Sequence, residues 1–123
     1  MVDRLLVTVG SVFGMLAVVA GAFGAHALKG RLPEEKLAWF ETGARYQVYH
    51  ALALVLAGLL AAHGLPARLA GWLFVAGILV FSGTLYLMAF GGPRWLGAIT
   101  PVGGVCLIAG WAALAWSALA GRP

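Results

Sequence analysis

The chain has 123 residues, of which 63% are hydrophobic and only 10% are charged, and its formal net charge is +4. A soluble domain carries roughly 25% charged residues, so this composition excludes a water-soluble globule, which would lack the polar side chains to cover its surface. The eight basic residues lie between apolar runs and form no basic stripe with interleaved aromatic residues. They therefore predict orienting loops and contacts with lipid headgroups, and no nucleic-acid partner.

Four apolar runs predict four membrane-spanning helices, since about 20 residues cross the hydrocarbon core of a bilayer. The runs cover approximately residues 5–28, 46–63, 69–90 and 99–120. Strands of a membrane β-barrel are about half as long and alternate in hydropathy, so a barrel is excluded. The predicted fold is an all-α membrane protein of one domain, residues 1–123, with its four transmembrane helices in a compact bundle.

A polar segment separates the first two runs. Pro33 followed by two glutamates is typical of a helix start, with proline in the first turn and acids near the positive end of the helix dipole. Apolar residues then recur at helical spacing. The pattern predicts a short amphipathic helix over residues 33–45, lying at the membrane interface and running into the second span, with Thr42 and Gly43 as its bending point.

The basic residues predict the orientation, because lysine and arginine in short loops favour the cytoplasmic side. Five of them fall at one end of the predicted bundle and three at the other end. The first set is Lys29, Arg31, Lys36, Arg45 and Arg94, and the second is Arg4, Arg68 and Arg122. We therefore expect the loop 29–45 in the cytoplasm and both termini outside.

Glycine spacing predicts where the helices pack. Helices in lipid associate through close backbone approach, which small residues permit. Gly10, Gly14 and Gly21 recur along one side of the first span, and Gly103 and Gly110 do so in the fourth. These five glycines are predicted helix-packing positions.

Polar side chains inside the spans gather at one predicted membrane face, where odd spans end and even spans begin. A polar group in lipid is costly unless it is paired, so each is a candidate functional residue. The candidate ligand-binding residues are His26, Arg45, Tyr46, Gln47, Tyr49, His50, Ser82, Tyr86 and Thr100.

Three interpretations of this cluster stay open. It can be an interhelical hydrogen-bond network that stabilises the bundle. It can line a pocket at the cytoplasmic face for a lipid headgroup, a quinone-like molecule or a small solute. A metal or haem site at His26 and His50 is the least favoured, because neither a carboxylate nor a thiolate accompanies the two histidines.

The sequence favours a non-enzymatic role. It contains no nucleophile–base, phosphate-binding or metalloprotease motif, so no catalytic residue, cofactor or metal is predicted. We expect an accessory or interaction protein whose partners are membrane lipids, with a homo-oligomer or a larger membrane complex left open. The alternative is a small-ligand binder or transporter that uses the polar cluster.

Four segments also resemble the signatures of one family. They are residues 21–28 (GAFGAHAL), 46–53 (YQVYHALA), 81–86 (FSGTLY) and 99–104 (ITPVGG). They resemble the domain-of-unknown-function 423 family, small inner-membrane proteins of bacteria with mitochondrial transmembrane relatives. The resemblance covers nearly the whole chain, with all four motifs in order. It implies a four-span protein of a bacterial cytoplasmic (inner) membrane and brings no established activity.

Overall fold

A computed structural model describes residues 1–63 and 65–121 of the chain, and within them four helices are long and apolar enough to cross a membrane. They are α1 (Arg4–Leu28), α2 (Glu34–His63), α3 (Arg68–Ala89) and α4 (Arg94–Ala120). The predicted all-α, four-span fold is confirmed. Arg122, which entered the charge count above, lies outside the described residues.

The chain reverses direction tightly at each end of the bundle. At one end, which we call the basic end, residues 29–33 join α1 to α2 and residues 90–93 join α3 to α4. Gly30 and Gly91 take φ values of +85° and +99° in these connections, a backbone conformation that side chains other than glycine rarely adopt. The opposite, terminal end holds residues 1–3 and the connection from α2 to α3.

The helices depart from α geometry at four places. The end of α1 and the middle of α3 are π-helical, while the end of α2 and the start of α4 are 3₁₀-helical. The segments are Gly24–Leu28, Ile78–Ser82, Ala61–His63 and Arg94–Ala98. Single π turns inside longer helices frequently lie at functional sites.

The polar stretch after α1 forms the first turns of α2. The α-helix runs without interruption from Glu34 to Leu60, through Thr42 and Gly43, so the amphipathic segment does not stand as a separate helix. Gly43 permits close packing: a Cβ atom there would lie 2.9 Å from a ring carbon of Tyr86. The glycine therefore lets α3 approach α2, where the sequence had suggested a bend.

The two central spans form the core of the bundle. The buried share of the most apolar stretch is 39% in α2 and 44% in α3, compared with 17% in α1 and 22% in α4. The outer span α1 packs mainly on α2, and α4 packs mainly on α3. Leu6, Leu54, Phe74 and Leu107 bring all four spans into one buried hydrophobic cluster.

Asp3 closes the terminal end. Its Oδ1 accepts a hydrogen bond from the backbone N–H of Leu6 at 3.1 Å and so caps α1, while its Oδ2 lies 3.0 Å from Nε of Arg68. Its own backbone N–H donates to the carbonyl of Gly58 at 2.9 Å. One residue thus ties α1 to α2 and α3.

The glycines that were expected to pack differ in their surroundings. A Cβ at Gly10 would lie 2.9 Å from the carbonyl oxygen of Ala51, and one at Gly110 would lie 2.6 Å from the ring of Phe74. Gly103 lies against the backbone of Phe81, and Gly14 has only an ordinary van der Waals contact, at 3.8 Å, with Ala51.

Gly21 does not lie at a helix interface. A Cβ at this position would meet no atom within 4 Å. The reason is that α1 and α2 separate near the basic end and leave an open cleft of about 230 Å³, which Gly21 lines together with Arg45.

Gly10→Ala and Gly21→Ala form a matched test of this packing. The added methyl group at Gly10 must push α1 away from the α2 backbone, so we expect a loss of about 1–3 kcal/mol of unfolding free energy. At Gly21 the methyl group meets open space, and stability should stay equal or rise slightly. Reversible unfolding in detergent, followed by circular dichroism, measures both; equal destabilisation would contradict the packing described.

Candidate functional site

Gln47 is the junction of the buried polar groups. Its side chain, on α2, is 5% exposed. Its Nε2 donates to the backbone carbonyl of Phe13 in α1 at 2.9 Å, and its Oε1 accepts from the hydroxyl of Tyr86 in α3 at 2.7 Å. Tyr86 reaches it because helical side chains tilt toward their own N-terminus, here away from the basic end. A single amide therefore joins three spans.

Hydroxyl groups make the next two links. Ser82, at the end of the π-helical turn of α3, donates to the carbonyl of Gly43 in α2 at 2.7 Å. Thr84 in α3 lies 2.6 Å, between hydroxyl oxygens, from Thr100 in α4. Each hydroxyl also has a carbonyl acceptor in its own helix, Val80 at 2.7 Å for Thr84 and Leu96 at 3.1 Å for Thr100, so either threonine can donate to the other.

His50 forms the deepest link, near the middle of α2. The indole N–H of Trp111 in α4 donates to its Nε2 at 3.1 Å, and its Nδ1 lies 2.7 Å from the carbonyl of Tyr46. A carbonyl only accepts, so Nδ1 carries the hydrogen and the ring is neutral. Both ring nitrogens are occupied, and ligation of a metal by His50 would require breaking one of these bonds.

The structure separates the nine predicted site residues into two groups. One group, which we call the interhelical network, makes buried or half-buried hydrogen bonds between spans; it contains Gln47, His50, Ser82, Tyr86 and Thr100, together with Thr84 and the partly exposed Trp111. The other four have exposed side chains: His26, Arg45, Tyr46 and Tyr49. Hydrogen bonding thus gathers only part of the predicted cluster.

The network also extends deeper than a layer at one membrane face. Gly43 and His50 are seven positions apart on α2, which corresponds to about 10 Å along the helix axis. Of the four exposed residues, Tyr46 and Tyr49 lie on this same stretch of α2, and the Tyr46 carbonyl lies 2.7 Å from Nδ1 of His50. His26 is on the π-helical end of α1, and the guanidinium of Arg45 lies 3.4 Å from the hydroxyl of Thr42.

Two members of the network, Thr84 and Trp111, were not among the predicted site residues. Trp111 carried a usable signal, because tryptophan in membrane proteins concentrates at the two interfaces, whereas this one falls in the middle of a span. Lipid offers no acceptor for an indole N–H at that depth, so the acceptor must come from the protein. The carbonyl acceptors at Phe13 and Gly43 have no sequence signal, since every residue has a carbonyl group.

An open cleft lies beside the network. Its volume is about 240 Å³, and Gln47, Ser82 and Tyr86 line it together with apolar side chains of α1 and α3. In the part of the chain that the structure describes, no group of three or more His, Cys, Asp or Glu residues is placed to hold a metal ion.

Tyr86→Phe tests the link from α3 to Gln47, with Tyr49→Phe as its control. The first change keeps the ring that packs on Gly43 and removes the hydroxyl donor, so we expect a loss of about 0.6–1.7 kcal/mol of unfolding free energy. Tyr49, with 52% exposure, should tolerate the same change. Unfolding in detergent measures both variants, and equal stabilities of the two would contradict this link.

A family model described as "Protein of unknown function (DUF423)" matches residues 20–104. The chain is 43% identical over 111 residues to the UPF0382 membrane protein YwdK of Bacillus subtilis, covering 88% of this chain and 90% of that protein. It is 41% identical over 109 residues to a UPF0382 membrane protein of Staphylococcus haemolyticus, covering 88% and 89%. No solved structure matches the chain significantly.

Proposed function

Because the chain belongs to the DUF423 family, which is described only by its unknown function, we propose its role from its contacts. It is a multi-pass membrane protein that acts as a non-enzymatic accessory or interaction protein of a bacterial cytoplasmic membrane. In this role it works by binding other membrane components along its outer surface, as a homo-oligomer or as part of a larger complex.

The single observation that carries this proposal is how the buried polar side chains use their hydrogen bonds. Gln47 binds both α1 and α3, Ser82 binds the α2 backbone, and the Thr84–Thr100 pair joins α3 to α4. Each of these groups therefore stabilises the bundle. The outward side chains remain available to other membrane components. The spans α1 and α4 expose the largest number of apolar side chains, for example Met15 at 60% and Ile108 at 70%.

Photo-crosslinking in cells tests the proposal. A photoreactive amino acid at Met15 or Ile108 should form a protein adduct on irradiation, and extraction with the surrounding lipid should give a species heavier than the 12.8 kDa chain. The same variants kept in the dark are the control. A monomer in every lipid-preserving preparation, with lipid adducts alone, would contradict a role through protein contact.

A second candidate function, a small-ligand binder, is supported by the open cleft beside Gln47, Ser82 and Tyr86. Gly83 also lines this cleft, and a Cβ there would meet no atom within 4 Å. Gly83→Leu should fill the cleft without disturbing the network. We expect a short-chain quinone to raise the thermal midpoint of the wild type and not of this variant; no shift in the wild type would exclude a quinone ligand.

For the orientation we infer that the basic end faces the cytoplasm and both termini lie outside. The basic end carries five lysine and arginine residues, whereas Arg4 and Arg68 are the described ones at the terminal end.

Cysteine labelling tests this orientation. In a Cys106→Ser background, a membrane-impermeant maleimide should label His63→Cys in intact cells and Arg31→Cys only after permeabilisation. Both positions have exposed side chains, so accessibility within the fold is matched. The reverse labelling pattern would overturn the orientation.

A further inference from the structure

Another open cleft lies near the basic end, separate from the network cleft. Its volume is about 380 Å³, and it lies between the first turns of α2, the last turns of α3 and the start of α4. Its inner wall is apolar and consists mainly of Phe81, Leu85 and Met88. We call it the Arg94 cleft.

An aromatic ring and a cation form the mouth of the Arg94 cleft. Trp39 and Arg94 both line it, and the Arg94 guanidinium carbon lies 5.8 Å from the centre of the Trp39 ring. Both residues fall within the first two turns of their spans. Tryptophan and arginine at that height match the headgroup region of a bilayer, where an amphipathic ring and a long cationic side chain are favourable.

The charge of Arg94 is available to a ligand. Its Nη2 lies 3.6 Å from Oε2 of Glu35, and the two side chains are 78% and 60% exposed. A surface ion pair of this length contributes little and is easily exchanged. A guanidinium has five N–H donors, so it can bind phosphate oxygens while it keeps a contact with the carboxylate.

We propose that the Arg94 cleft is a binding site for an anionic phospholipid. One acyl chain lies against Phe81, Leu85 and Met88, and the phosphate lies beside Arg94, above the Trp39 ring. A charged headgroup complements the guanidinium, and a hydrocarbon chain complements the apolar wall, so this ligand matches both halves of the cleft. The proposal is independent of the contact role argued above, because it rests on a different surface.

Native mass spectrometry of the purified full chain tests the site. Phosphatidylglycerol and phosphatidylcholine with identical acyl chains are added to the detergent micelles, and retained lipid is counted. We expect the wild type to retain phosphatidylglycerol in preference. Arg94→Gln should lower that retention about fivefold, the effect of one cation at a lipid surface. The control is Arg31→Gln, an exposed cation on the same end, and its retention should change less than twofold.

Filling the cleft tests whether the acyl chain lies in it, independently of the surface charge. Gly97 lines the Arg94 cleft, and a Cβ there would lie 3.6 Å from the sulfur of Met88, an ordinary contact. Gly97→Leu should therefore displace the lipid while all charges stay in place. If that variant fails to fold, Trp39→Leu, which removes the ring under the guanidinium, should lower retention in its place.

Three results would overturn the proposal. Equal losses in Arg94→Gln and Arg31→Gln would mean that diffuse surface charge holds the lipid. Full retention by a folded Gly97→Leu would mean that the acyl chain lies elsewhere, and full retention by Trp39→Leu would mean that the phosphate does not lie above the Trp39 ring. Equal retention of phosphatidylglycerol and phosphatidylcholine by the wild type would mean that the headgroup charge is not recognised. The thermal midpoint of each variant, followed by circular dichroism, shows whether it is folded.

Discussion

The side-chain amide of Gln47 holds together three of the four spans, and the rest of the bundle depends on that arrangement. The hydrocarbon core offers no water, so a buried amide must find its donor and acceptor within the protein. Gln47 finds them in the carbonyl of Phe13 and the hydroxyl of Tyr86. Both bonds require α1 and α3 to lie at fixed heights and rotations beside α2, which makes the amide a determinant of register as well as of stability.

Close packing at glycine permits those bonds to form. Tyr86 can run along α2 because Gly43 has no side chain in its path, and the same glycine supplies the carbonyl that accepts from Ser82. Without a hydrophobic driving force between helices in lipid, close contact and hydrogen bonds supply the association energy. In this bundle the two occur at the same positions on α2 and α3, the spans with the largest buried share.

The two ends of the bundle differ in chemistry. At the terminal end, Asp3 is nearly buried and pairs with Arg68, so that its charge serves the fold. At the basic end, Arg45 and Arg94 are exposed and border open clefts. The carboxylate at the terminal end therefore serves the fold, whereas the basic end presents two exposed cations beside clefts. Anionic headgroups attract exposed cations of this kind.

The sequence by itself determined the number of spans, their approximate limits and the end at which polar residues collect, because length and hydropathy suffice for these. The sequence could not determine which of two adjacent residues on a helix faces inward. In lipid both the packed and the exposed sides of a helix are apolar, so no periodic pattern separates buried His50 from exposed Tyr49. The rotation of each helix decided that His50 meets Trp111 and that Gly21 meets no atom. Rotation is set by side-chain fit and hydrogen bonds between spans, which exist only in the tertiary structure.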